Sequence, residues 1–87
     1  MTLSFPNQSR FYDATRRAVR FWGHDSAMEA SFFVNADAMK RIKPDLEFDE
    51  VALHSAFDSN RKLIYATAAK VYDRRHKGSY DLMAGDF

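Results

Sequence analysis

The chain of 87 residues predicts an α+β fold: a small antiparallel sheet packed on one long amphipathic helix, with a short helix before it. Three observations lead there. Runs that alternate apolar and polar residues open and close the chain, which is the period of half-buried strands. Between them, from Asp49 to Lys77, apolar residues recur every three or four positions, the period of a helix with one buried side. One apolar helix face laid on one apolar sheet face then satisfies both surfaces.

The elements follow in order. Leu3-Ser4-Phe5 alternates and stops at Pro6, which cannot donate to a ladder, so it reads as an N-terminal edge strand. Asn7 to Asp13 reads as a connecting loop anchored by Tyr12. Arg17 to Trp22 reads as a strand with Val19 and Phe21 on one face and Ala18, Arg20 and Trp22 on the other. Gly23-His24-Asp25-Ser26 is rich in turn formers. Met28, Ala30, Phe32 and Val34 then share a face opposite Glu29 and Ser31, and Phe33 breaks the polar side of that pattern. The pair predicts a hairpin with a four-residue loop. Asn35 is suited to cap a short helix over 36–42, because its side chain can accept from free N–H groups of the first turn. Pro44 ends that helix, since the residue before a proline avoids the helical region.

The long helix starts at Asp49, a good N-cap, with Glu50 at the positive end of the dipole. Its seam is Leu53, Phe57, Asn60, Ile64, Thr67 and Val71, flanked by Ala56, Leu63 and Ala68. Arg74, Arg75 and Lys77 suit the negative end, and Gly78 is the natural residue just past it. Ser79 to Leu82 alternates again and is expected to pair with the hairpin as the C-terminal strand.

Composition sets limits on function. The length and the 46% hydrophobic content suit a single domain over 1–87. At this size the buried fraction is modest, so a homodimer that buries more of the 15% aromatic residues is expected. With no cysteine, disulfides and thiolate metal sites are excluded. Residues 1–6 lack the pattern of a signal peptide, and no run approaches the roughly 20 apolar residues of a membrane span. A cytoplasmic protein without a membrane partner is the expectation.

No set of residues announces catalysis. His24, His54 and His76 are scattered, and His54 with Asp58 at i+4 supplies two ligands where a metal site needs three or four. That pair reads as a solvated helix-face neighbour. His24-Asp25-Ser26 has the residue types of a catalytic triad, but adjacent residues cannot fold back into its geometry, and a turn is the simpler reading. Gly23, Gly78 and Gly85 are too far apart for a phosphate cradle. Glu47, Asp49 and Glu50 cluster where a helix start favours acids anyway. No catalytic residue, cofactor or metal is therefore expected, and a single helix over the sheet is expected to leave no cleft equipped for bond-breaking. Asn60 is the most informative polar residue. An amide on an apolar seam is costly unless it is hydrogen-bonded, so it either satisfies a nearby backbone group or meets a ligand or a second subunit.

Charge is segregated. In residues 1–24, Arg10, Arg16, Arg17 and Arg20 stand against Asp13. Residues 25–60 are acidic, and residues 61–78 carry Arg61, Lys62, Lys70, Arg74, Arg75 and Lys77 against Asp73. If the hairpin start lay beside the helix end, Arg16, Arg17, Arg20, Arg74, Arg75 and Lys77 would form one basic patch with Trp22 as a stacking platform. Single-stranded nucleic acid is bound by such surfaces. The net charge of only +1 weighs against a domain dedicated to nucleic acid.

The run Tyr12-Asp13-Ala14-Thr15-Arg16-Arg17-Ala18-Val19-Arg20-Phe21 resembles the N-terminal signature of a small bacterial family known as domain of unknown function 1488. Ala56-Phe57-Asp58-Ser59-Asn60-Arg61, with Ile64 and Ala68, resembles its helix motif, and Tyr80-Asp81-Leu82 matches its last strand. The resemblance implies a compact α+β domain with no established activity and carries over no catalytic residues. The expected function is a non-catalytic interaction or regulatory module that binds a protein or small ligand, with nucleic-acid binding as the alternative.

Overall fold

The structure, a computed structural model, describes residues 3–26, 28–74 and 79–87. Its centre is the hairpin. Strands β3 (Ala18–Asp25) and β4 (Met28–Asn35) pair antiparallel from Ala18↔Asn35 to Asp25↔Met28. The predicted hairpin is present, but its loop is two residues, not four. Gly23, His24 and Asp25 belong to the strand, and Ser26 turns the chain with a φ of 55°. Gly23, expected in the turn, lies in the strand. It is needed for space, because a Cβ there would meet Phe5 Cε1 at 3.0 Å and Leu3 Cδ1 and Phe32 Cε2 at 3.1 Å.

The outer edge of β3 is shared by two short strands. β1 (Leu3–Ser4) pairs antiparallel beside His24 and Asp25, and β2 (Phe11–Asp13) pairs antiparallel beside Ala18 to Arg20. The segment expected to be loop thus contains a strand, and Tyr12 is half-buried against the core as anticipated.

After β4 come α1 (Ala36–Ile42), α2 (Glu50–Ser59) and α3 (Arg61–Arg74), then β5 (Ser79–Leu82) and a short 3-10 turn over Ala84–Asp86. Asn35 and Asp49 cap as predicted: Asn35 Oδ1 accepts from the Ala38 amide at 2.7 Å, and Asp49 Oδ1 from the Ala52 amide at 2.8 Å. β5 does pair with the hairpin, but parallel to β4, in the register Ser31↔Ser79 to Val34↔Leu82. The sheet is therefore mixed rather than antiparallel, in the order β1-β3-β4-β5 with β2 beside β3. Parallel neighbours require a long crossover, and the three helices supply it.

The predicted single helix is two. The break is at Asn60, whose φ of −122° leaves the helical region. Its amide N–H donates to the Phe57 carbonyl at 3.1 Å, one residue short of the α pattern. The Ala56 carbonyl, which that N–H would have reached in a continuous helix, accepts instead from Asn60 Nδ2 at 2.8 Å. An asparagine side chain competes with the main chain in this way, so it ends α2 while its own carbonyl accepts from Ile64 and starts α3. A second tie holds the junction. Asp58 accepts two bonds from Arg10, at 2.9 and 2.8 Å, and one from Arg61 at 2.8 Å, and Arg61 also donates to the Gln8 carbonyl at 2.9 Å. Asp58 is thus bound to Arg10 across the fold and to Arg61 three residues on, whereas the sequence suggests His54 as its neighbour. α3 ends at Arg74; the predicted continuation through Arg75 and Lys77 to the Gly78 cap lies outside the described residues.

One core cluster joins all of this. Val19, Phe21, Phe32, Val34, Tyr80 and Leu82 supply the sheet side, and each helix contributes, from Met39 through Leu53 and Phe57 to Ile64 and Val71. The rings form a continuous stack: Phe21 to Phe32 at 5.3 Å, Phe32 to Tyr80 at 5.1 Å, and Phe5 on Tyr65 at 4.1 Å. Such pairs add roughly 0.5–1.5 kcal/mol each beyond burial. Of the predicted seam, Leu63 is exposed and Asn60 half-buried; the rest is buried. Among the described residues, no helix is long and apolar enough to cross a membrane.

Candidate functional site

Side chains alternate along a strand, so the residues that do not face the helices share the other face of the sheet. Strand register lines up four of them in one row: Phe11 on β2, Arg20 on β3, Phe33 on β4 and Asp81 on β5. The next row holds Trp22, Ser31 and Ser79, and the one beyond it Ser4, His24 and Glu29.

Arginine and aromatic rings interlock on this face. Arg16 lies over the Phe33 ring at 3.9 Å and donates to Asp81 Oδ1 at 3.0 Å. Arg20 lies between Trp22, at 5.1 Å, and Phe33, at 5.5 Å, and donates to the Ser31 hydroxyl at 3.0 Å. Its Nε is buried without a hydrogen-bond partner. Phe33 is only 6% exposed, yet it stands apart from the core cluster, and the arginine stems and guanidinium planes cover it. Guanidinium over a ring is attracted to the ring's negative face, and more strongly when water is excluded. Phe11 is left 60% exposed at one margin. Met83, 51% exposed, sits at the other, where Asn35 donates to its sulfur at 3.4 Å. His24 and Glu29 approach at 3.5 Å across the hairpin.

Three of the residues anticipated from sequence meet here: Arg16, Arg20 and Trp22. Arg17 does not join them. With a φ of 51° it turns away, and its guanidinium lies over Phe48 at 5.5 Å, a ring that Lys40 Nζ also approaches at 5.2 Å. Its carbonyl accepts from the Ala36 amide at 2.9 Å, which fixes this corner to the start of α1. The second basic segment is remote. The Tyr72 hydroxyl donates to Asp25 at 2.9 Å, so α3 ends by the hairpin turn, whereas Arg16 and Arg17 precede the opposite end of β3. Arg74 closes α3 there; Arg75 and Lys77 lie outside the described residues. The part of the expected patch that the second basic segment would supply thus falls on residues whose side chains lie outside the described ones. Phe11, Phe33, Ser31 and Asp81 were missed as site residues. The signal for Phe33 was present, an apolar residue on the polar side of β4.

A groove lies beside the helix break. It encloses about 660 Å³ between the end of α1, the segment 43–47 and α2, with Asn60 in its lining. Its charged members, Lys43, Asp45 and Glu47, are exposed. His24 and His54 are not among its lining residues. Among the described residues, no group of three or more His, Asp or Glu could hold a metal ion.

Comparison with known proteins follows this geometry. A crystal structure of a protein of unknown function from the DUF1488 family of Shewanella loihica PV-4 has the same fold, with a TM-score of 0.82 at 16% identity over 94% of both chains. No curated protein matches the chain. The family model described as "Protein of unknown function (DUF1488)" matches residues 3–83, and the chain belongs to that family.

Proposed function

We propose that this protein is a non-catalytic interaction module of the cytoplasm that docks a protein partner on the open face of its sheet. The observation that carries this reading is the row Phe11–Arg20–Phe33–Asp81 with Trp22 beside it. No described helix packs on that face, although it holds three aromatic rings. Interfaces are enriched in aromatics and arginine at their centres, where a desolvated ring and a stacked guanidinium give the largest contributions. The absence of cysteine suits a reducing compartment, since small secreted domains are commonly disulfide-rich.

Two features weigh against catalysis. The charged groups of the groove are exposed, unlike the desolvated acids and bases that enzymes tune. Of the described histidines, neither His24 nor His54 lines it. Nucleic-acid binding has one supporting feature, Trp22 and Arg20 as a stacking platform. Against it stand Asp13, Asp81 and Glu29 on the same face, which repel a phosphate backbone.

The test is a photo-crosslinking amino acid placed at Phe11 in living cells, with the same group at the exposed Val51 of α2 as control. Protein adducts from position 11 and not from 51 support the reading. Equal labelling, or none, overturns it. A gel shift with single-stranded oligonucleotides at low salt, abolished by Trp22→Ala, would turn the assignment to nucleic acid.

A further inference from the structure

We infer that the occupant of the open sheet face is a second copy of this chain, held by a weak two-fold contact. The inference rests on the docking reading above and adds the identity of the partner.

Charge comes first. The face carries both signs, Arg16 and Arg20 against Asp13, Glu29 and Asp81. In a two-fold contact the same patch lies on both sides, so each side must supply the complement of its own charges. A mixed, nearly neutral face does that. A strongly acidic or basic partner would leave one set of charges unmatched in the contact.

Cation placement comes second. The Arg20 guanidinium stacks on two rings, and its hydrogen bond goes to a neutral hydroxyl. A carboxylate from the facing copy, from Glu29 or Asp13, would supply the missing counter-charge. Phe11 and Met83, exposed at opposite margins of the face, would be covered in the same step.

Size comes third. Four strand positions about 4.8 Å apart, by eight residues of β3 at about 3.3 Å each, give a face of roughly 500 Å². Copy on copy, this removes on the order of 1,000 Å² in total, the lower limit of specific interfaces. Contacts of this size are typical of transient complexes, so a weak, concentration-dependent dimer is expected.

Trp22 is the single tryptophan of the chain and lies in the middle of this face, so its emission reports whether the face is covered. The experiment follows Trp22 emission and sedimentation velocity over a concentration series of the whole chain. A blue shift that tracks a rise to twice the monomer mass is expected. Phe11→Glu and Met83→Glu should abolish both at unchanged circular dichroism, and Val51→Glu should leave both intact. A monomer with unshifted emission at the highest attainable concentration overturns the inference, and so does self-association lost in Val51→Glu but retained in Phe11→Glu. If position 11 still crosslinks to another protein in cells, the docking reading stands and the second copy is wrong. If position 11 crosslinks to nothing, both fail.

Discussion

On the core face of the hairpin, Phe21 and Phe32 stack ring on ring and are sealed by α2 and α3. On the outer face of the same two strands, Phe33 and Trp22 lie next to the guanidinium groups of Arg16 and Arg20. Both faces hold large rings in register, but they use different physics. The core rings lose all water and gain dispersion contacts on every side, and that is where folding free energy resides. The outer rings are covered from the solvent side by long charged side chains: Phe33 is 6% exposed beside Arg16 and Arg20, and Trp22 is half-buried beside Arg20. An aromatic strand residue is thus no guide to the core until its cover is known.

Five predictions sharpen or break this contrast. The largest effect belongs to the core: Phe21→Ala or Phe32→Ala should lower unfolding free energy by about 3–5 kcal/mol in urea titrations. A loss under about 1 kcal/mol would erase the distinction between the faces. Gly23→Ala comes next. The new methyl meets three side-chain carbons at 3.0–3.1 Å, two of them from the ring and methyl of β1 and its continuation, so a loss of about 1–3 kcal/mol is expected from overpacking. An unchanged midpoint would show that Phe5 and Leu3 yield freely and that β1 is loosely held.

Asn60→Leu should cost about 1–2 kcal/mol, because the Ala56 carbonyl loses its partner at the helix break. If the variant is as stable as the parent, main-chain hydrogen bonding can replace the side chain and the two helices merge. The smallest effects are electrostatic and set by pH. Asp58 titrates below its usual value, first because of the hydrogen bonds from Arg10, opposed by burial and aided by Arg61. A lowered carboxylate pKa stabilises the fold above the unfolded value and is lost as pH falls through the folded one, so Arg10→Ala should flatten the acid limb. The Tyr72 hydroxyl is raised above 10.0, first by its hydrogen bond to Asp25. That contribution is present below about pH 10 and is lost as pH rises through the folded value, so Asp25→Asn should change the alkaline limb alone. Asp58 is largely exposed, and its share is small.

The parts of the fold that follow from local rules were legible in the sequence. Asn35 and Asp49 cap their helices because short acceptor side chains do so wherever they precede a helical run. The alternation over 28–34 and 79–82 placed strands correctly. What failed depends on distant partners. Nothing local distinguishes a parallel from an antiparallel partner for Ser79 to Leu82. Only the path of three helices decides it. The apolar seam of Leu53, Phe57, Ile64 and Val71 conceals the break because its periodicity carries across Asn60, whereas the break depends on one side chain taking the Ala56 carbonyl. Phe11–Asp13 is too short to read as a strand without β3 beside it. Of the candidate site, Arg16, Arg20 and Trp22 were visible as a cluster in sequence. Phe11 and Asp81 join them only through register.

On the proposed reading, the two faces of one hairpin divide stability from docking. The most direct measurement is a pair of urea titrations by circular dichroism, of Trp22→Ser and Phe21→Ala, at a concentration too low for self-association. The account predicts that Trp22→Ser loses about 1 kcal/mol or less, the scale of a half-exposed cation–π contact, while Phe21→Ala loses several-fold more. Equal losses would mean that the outer rings are a second core, and the docking surface would have to be sought elsewhere.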